Sequence, residues 1–271
     1  RRRGRRDGRR GRHRGRDARP RQAHPVSGDG QAGEPLLAAA GLTKRYRATV
    51  ALDGAGIAVR EGEAVALLGP NGSGKTTLLT ILAGVSRPTS GATTWRPGGV
   101  ARVGWVPHDP ALYGRLTTRE NLRLFAALEG APDPDAAAAD LLARADLAEY
   151  ADRLAARLST GTRQRLNLAI ALAGEPSVLL LDEPTATLSP DQRHRLWAWL
   201  DELRTVDGLA VVFSTQSVDE AVAHGDRMVV LAGGRVVFDG DAARLVADHG
   251  TPGARDPAEA AFLAVVGADG R

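Results

Sequence analysis

The octapeptide GPNGSGKT at residues 69–76 constrains what this chain can fold into more than any other stretch. It fits the pattern G-x-x-x-x-G-K-[ST]. Its setting fits too, because a strand-like apolar run at residues 63–68 precedes it and an apolar helical stretch at residues 76–82 follows. A strand, a glycine-rich loop and a helix in that order aim successive backbone N–H groups, and the positive end of the helix, at one point in space. That point suits phosphate. Gly69, Pro70, Asn71, Gly72, Ser73 and Gly74 supply the cradle, Lys75 is placed for β and γ phosphates, Thr76 offers a hydroxyl to Mg²⁺, and Thr77 completes the set.

A second motif supplies carboxylates. SVLLLDEP at residues 177–184 reads as a buried strand ending in Asp182, placed to hold Mg²⁺ directly or through water, and Glu183, placed to polarise an attacking water. An acidic pair at a strand end is by itself an ordinary turn. The phosphate loop upstream is what turns it into a candidate site.

Around these motifs the pattern alternates. Further strand-like runs fall at residues 178–181, 209–214, 228–231 and 236–238, with helical stretches at 191–203 and 218–224 between them. VVFSTQSVDEA at residues 211–221 reads as a strand that breaks into a polar turn at Ser214, Thr215 and Gln216. From 117 to 173 no strand is expected: TTRENLRLFAALEG, DPDAAAADLLARADL and STGTRQRLNLAIALAG read as successive helices, the second begun by Asp133 ahead of Pro134. The order predicts an α/β layered fold with parallel pairing at the sheet centre and a helical insertion.

Composition narrows the partner classes. There is no cysteine among the 271 residues, which excludes disulfides and thiolate metal sites. No apolar run approaches the roughly 18 residues that a membrane-spanning helix needs. The net charge of +4 points to nucleic acid only until it is located: the first 22 residues hold 12 of the 36 basic residues, and the remainder is net −6. The Arg-rich stretch RRRGRRDGRRGRHRGRDARPRQ lacks hydrophobic periodicity, and residues 1–35 are expected to be a disordered tail. It is readable as an arm for RNA or anionic lipid. It is also readable as a mis-called upstream frame, with translation beginning downstream, for instance near Val26, since the first residue is not Met and Arg outnumbers Lys 34 to 2.

LSTGTRQRL at residues 158–166 completes an order of phosphate loop, Ser159-Thr160-Gly161, then Leu-Asp-Glu-Pro. That order resembles the ATP-binding cassette (ABC) ATPases, whose signature is usually Leu-Ser-Gly-Gly-Gln. The likeness covers residues 36–245. It implies a P-loop NTPase core with a parallel central sheet, an N-terminal antiparallel β subdomain, an inserted helical subdomain at about residues 108–173, and an extension at 246–271. It also implies ATP and Mg²⁺, and a head-to-tail dimer in which Ser159, Thr160 and Gly161 of one chain close on the γ-phosphate held by the other. Taken alone, Ser159 is equally a helix N-cap. Tyr46 in LTKRY resembles the aromatic that stacks on adenine. Residues 111–128, ALYGRLTTRENLRLFAAL, look like the stretch of exporter-type members that meets the membrane subunit, and DPAEAAFLAVVG at 256–267 resembles the C-terminal segment of drug-exporter ATPases.

Three positions depart from that family. His108 stands for the glutamine that reaches Mg²⁺ and the attacking water, although Mg²⁺ prefers oxygen ligands. Ser189 stands for an aspartate that couples the two sites across the dimer. Gln216 stands for the histidine that contacts the γ-phosphate; it can donate a neutral hydrogen bond but cannot become cationic, which costs about 2 to 4 kcal/mol of transition-state stabilisation. The resemblance therefore implies an ATP-binding and ATP-hydrolysing subunit with tight binding and slow turnover, peripheral at the cytoplasmic face of a membrane. It would drive separate permease subunits in export of a drug-like or lipid-like compound, with a haem-exporter-like ATPase close behind. The second ATPase chain is a copy of this one or a different chain, and no specific nucleic acid is expected. Open alternatives are a degenerate partner in a heterodimer, a non-transport ABC protein using the Arg tail on nucleic acid, and an ATP sensor without turnover.

Overall fold

A computed structural model of the chain describes residues 34–96 and 102–269. The readings of the Arg-rich stretch therefore lie outside the described residues, as does the tail expected at 1–35 except for positions 34 and 35. Two sheets organise the molecule. Strands β1 (Leu37–Tyr46), β2 (Thr49–Val59) and β4 (Ser90–Trp95) form an antiparallel sheet in the order β2-β1-β4. Strands β3 (Ala64–Leu68), β5 (Val103–Val106), β6 (Val178–Asp182), β7 (Ala210–Thr215), β8 (Arg227–Ala232) and β9 (Arg235–Gly240) form the second, in the order β5-β6-β7-β3-β8-β9. Every pair in it is parallel except β8 with β9.

Its central strands are short apolar runs rather than alternating ones because both faces are covered. In β3, Ala66 and Leu68 pack into a core with the helical insertion, while Val65 and Leu67 pack into a second core with the antiparallel sheet and helix α1 (Lys75–Leu82). The polar residues of β6 and β7, Asp182, Ser214 and Thr215, fall at the carboxyl ends, where open α/β sheets bind ligands.

Helices α2 (Thr118–Leu128), α3 (Pro134–Arg144) and α4 (Thr160–Leu172) occupy the three stretches expected to be helical. Asp133 Oδ1 accepts from the N–H groups of Asp135 at 3.1 Å and Ala136 at 3.0 Å, so the helix start read from Asp133-Pro134 is built as expected. Among the described residues, the only β pairing within that insertion is an isolated bridge between Thr117 and Leu154. Helices α5 (Pro190–Asp207) and α6 (Val218–His224) follow β6 and β7, and α7 (Ala242–His249) and α8 (Pro257–Asp269) close the described chain. Among the described residues no helix is long and apolar enough to cross a membrane.

Three elements went unread in the sequence: β4, β5 and α7. SGATTW and VGWV carry little periodicity, and their strand character comes from their neighbours, β1 and β6. One expectation needs correction: Ser214 and Thr215 do not stand in a turn. Both are buried in β7, Ser214 paired with Asp182 of β6 and Leu67 of β3 and Thr215 with Leu68 of β3, and only Gln216 leaves the strand.

Candidate nucleotide-binding site

The loop at 69–74 is wedged between two backbones. A Cβ on Gly69 would lie 2.3 Å from the Leu231 carbonyl oxygen, and one on Gly74 2.5 Å from that of Ala51. Gly74 also sits at φ 108°, a conformation that side-chain-bearing residues avoid. The Gly234 N–H donates to Ser73 O at 3.1 Å, tying the loop to the β8–β9 turn. Helix α1 has no acidic residue in its first turn and no side chain capping it, so the N–H groups at its start remain available.

Lys75 is buried, and its Nζ donates to Gly69 O at 2.7 Å and Pro70 O at 3.2 Å. Burial pushes its ammonium below the usual lysine range, and the nearby Glu183 and Asp182 carboxylates oppose that shift. The Ser73 hydroxyl is buried with no hydrogen-bond partner among the described residues. A cradle without room for a side chain, a buried cation folded back onto its own loop, and an orphan hydroxyl together fit a phosphate chain.

The carboxylates sit opposite. Asp182 is buried; its Oδ2 accepts from Thr76 Oγ1 at 2.8 Å and its Oδ1 from Ser214 Oγ at 2.7 Å. Ser214 Oγ in turn accepts the Glu183 N–H at 2.9 Å. Glu183 holds a left-handed backbone at φ 47°, which costs about 1 to 3 kcal/mol and persists only where neighbours fix it. Its Oε1 accepts from Gln216 Nε2 at 2.8 Å and lies 4.0 Å from Lys75 Nζ. Among the described residues no group of three or more His, Cys, Asp or Glu side chains is placed to hold a metal. One carboxylate and one hydroxyl are hard oxygen donors of the kind Mg²⁺ takes, with water and phosphate completing its shell.

The structure thus brings Lys75, Thr76, Asp182, Glu183 and Gln216 into one cluster beside Gly69–Gly74. Asn71 and Gly72 are exposed at the rim of the loop, and Thr77 is half-buried in α1. Ser159, Thr160, Gly161, His108 and Tyr46 make no hydrogen bond to that cluster. No hydrogen bond links Ser159, Thr160 or Gly161 to the 69–76 loop. Ser159 caps α4, its Oγ accepting the Thr162 N–H at 3.2 Å, Thr160 is exposed, and Gly161 packs against the Gln192 side chain. His108 is exposed and makes no hydrogen bond to another described residue.

Tyr46 is also exposed, with Lys44 Nζ 5.0 Å from its ring centroid. The hairpin that carries it is anchored to the loop through Ala51 and Leu52, which crowd Gly74. Ser189, expected as an off-pattern coupling residue, forms a capping box with Gln192 at the start of α5. Sequence reasoning missed Ser214 as a site residue. The available signal was a serine inside an apolar strand, VVFS, since a hydroxyl buried at 0% exposure needs a partner.

Comparison with known proteins bears on the same residues. A family model described as "ABC transporter" matches residues 52–186. The mouse ATP-binding cassette sub-family A member 9 is 40% identical over 228 residues, which is 78% of this chain and 14% of that protein, so the chain spans about one-seventh of it. The daunorubicin resistance ATP-binding protein DrrA3 of Streptomyces coeruleorubidus is 39% identical over 222 residues, 78% of this chain and 69% of that one. A probable sulfate/thiosulfate import ATP-binding protein CysA of Chlorella vulgaris is 37% identical over 220 residues, 78% and 92%. Among solved structures, the dimeric bacterial ABC transporter cassette MJ0796 superposes with a TM-score of 0.69 at 28% identity, covering 76% of this chain and 98% of its own.

Proposed function

We propose, from the premise that this chain belongs to the ABC transporter family, that it hydrolyses ATP slowly as a peripheral subunit of an exporter. The observation that carries this is the contact between Gln216 Nε2 and Glu183 Oε1 at 2.8 Å, beside Lys75. Glu183 is the base that orients water on the γ-phosphate, and Gln216 steers that base. Lys75 and the 69–74 loop hold the phosphates, Tyr46 stacks on adenine, and Thr76 with Asp182 would hold Mg²⁺. When bound, the ion neutralises charge developing on the phosphates.

Ser159, Thr160 and Gly161 serve the nucleotide of a second chain, which accounts for their making no hydrogen bond to the loop in their own chain. That second chain is a homo- or heterodimer partner, and permease subunits receive its closure at the cytoplasmic face of the membrane. His108 suits the attacking water rather than the ion, because imidazole is a poor ligand for Mg²⁺.

Slow turnover follows from the amide. Gln216 keeps the geometry of a donor but carries no positive charge toward the transition state. The test is Gln216→His: the ATPase rate should rise about 30- to 900-fold with ATP affinity unchanged. An unchanged rate rejects Gln216 as the limitation, and activity that survives Glu183→Gln rejects the assignment of the base. Export is supported by the likeness to a Nod factor export ATP-binding protein of Ralstonia nicotianae, 36% identical over 229 residues, while the sulfate-import relative sets the opposite direction. Cells lacking the gene should accumulate more of a lipophilic cationic dye; impaired sulfate uptake instead would reverse the direction.

A further inference from the structure

We infer that Glu220 is a positioning residue for hydrolysis, its single carboxylate clamping together the two loops that carry Glu183 and Gln216. The inference rests on the ATPase reading above. Glu220 lies on α6, outside the phosphate loop and the carboxylate pair, yet three side chains from three elements donate to it. Thr185 Oγ1 donates to Oε1 at 2.5 Å, Thr215 Oγ1 to Oε2 at 2.6 Å, and Trp197 Nε1 to Oε1 at 3.3 Å. All three donors are buried.

Their places in the chain give the carboxylate its leverage. Thr185 is two residues after Glu183, and Thr215 is the residue before Gln216. Thr215 Oγ1 also accepts the Ser217 N–H at 3.0 Å, and Ser217 Oγ accepts the Glu220 N–H at 3.2 Å, so the segment from 215 to 220 is closed on itself. Trp197 holds the clamp from the α5 side. Its ring stacks on His224 at 4.0 Å and meets Phe213 edge-on at 4.7 Å, which fixes the direction of its N–H.

The strained backbone of Glu183 gives the clamp something to hold. Ser214 anchors Glu183 on its amino side and the Thr185–Glu220 bond anchors the carboxyl side, so φ 47° is fixed from both ends. Hydrogen bonds to a carboxylate are the stronger kind, and these are shielded by burial. A displacement of about 1 Å between base and substrate costs on the order of 100-fold in rate. A residue that sets the Glu183–Gln216 contact therefore governs kcat while leaving the phosphate cradle alone.

The test compares the full chain with Glu220→Ala, Glu220→Gln and Thr185→Val for kcat, KM and Mg-ATP affinity, and for amide hydrogen exchange in peptides covering 183–187 and 214–218. Expected are a kcat loss of about 10- to 100-fold in Glu220→Ala and Thr185→Val with ATP affinity within about 2-fold. Glu220→Gln should recover to within about 3-fold, since its amide oxygen still accepts from Thr185 and Trp197 while its NH₂ donates to the Thr215 hydroxyl. In a Gln216→Ala background Glu220→Ala should add a smaller loss than it does alone, since only its hold on Glu183 through Thr185 is left to lose. An unchanged kcat in Thr185→Val, or a full additional loss in the Gln216→Ala background, overturns the inference. A wild-type chain without hydrolysis is a failure of the ATPase reading instead. The exchange arm then decides alone, with faster exchange at both segments in Thr185→Val supporting the clamp and unchanged exchange refuting it.

Discussion

Replacing Ser214 by alanine isolates the bond that joins the two carboxylate residues. The substitution removes one oxygen from a site at 0% exposure and adds no bulk, so its effect is confined to two hydrogen bonds, to Asp182 Oδ1 at 2.7 Å and from the Glu183 N–H at 2.9 Å. Leaving a buried donor or acceptor unpaired costs about 1 to 3 kcal/mol. Asp182 is buried and bears the full penalty, whereas Glu183, with a side chain 22% exposed, admits water and bears less. Together they give about 2 to 4 kcal/mol, or a fall in Tm of roughly 6 to 12 °C for a domain of this size. Freed of its anchor, Glu183 should relax from φ 47°, and kcat should fall about 10-fold or more. Calorimetry of the nucleotide-free chain and a phosphate-release assay read the two effects. A Tm within about 2 °C of wild type would mean that neither group depends on Ser214, and the account of how Glu183 is held would fail.

Further substitutions probe other parts of the site. Gly69→Ala drives a Cβ into the Leu231 carbonyl and should cost about 100-fold or more in ATP affinity by fluorescence titration. Gly72→Ala meets no atom within 4 Å but sits at φ 76°, so it should cost about 1 to 2 kcal/mol of stability with a smaller loss of affinity. Thr117→Ala breaks the capping box with Glu120 and should lower stability by about 1 kcal/mol in urea denaturation, leaving ATP affinity unchanged. Burial lowers the His224 pKa from 6.5, with His194 adding to that and Asp201 and Glu220 opposing it. Protonation therefore favours the unfolded chain, and this stability is complete above about pH 6.5 and lost as pH falls through the folded value. The Tm of wild type relative to His224→Phe should accordingly drop as pH is lowered past 6.5, and a constant difference would refute the shift.

What could be read in the sequence was chemistry fixed by local spacing. GPNGSGKT and LLLDEP each carry their own strand, turn and charge, so their placement followed from neighbours within ten residues. Asp133-Pro134 marked a helix start for the same reason. The elements that escaped, β4 and β5, take their strand character from partners 50 or more residues away: Leu37 opposite Trp95, and Trp105 opposite Leu180. The signature residues were legible as a motif serving a second chain's nucleotide, which a single chain does not test. Glu220 was invisible because each of its partners, Thr185, Trp197 and Thr215, is an ordinary residue in its own segment, and only the fold brings the three together.

The off-pattern residues acquire a physical meaning from the same contacts. Ser189 stands, on the family resemblance, where an aspartate is expected; serine and aspartate are both among the best N-caps, and the capping box with Gln192 is present. Gln192 also fills the space beside Gly161, where a Cβ would come within 2.2 Å of its amide nitrogen. The side chain that caps α5 therefore limits what can stand at the start of α4. Gln216 follows the same pattern, retaining a donor to Glu183 and giving up a titratable ring. At both positions the side chain makes the hydrogen bond that shapes its loop and carries no charge. Under the proposal of slow turnover, these are the two positions at which a charged group should speed hydrolysis. On this reasoning the Ser189→Asp and Gln216→His substitutions should each leave Tm within about 2 °C while raising the ATPase rate, and a rise in Tm without a rise in rate would place their role in the fold instead.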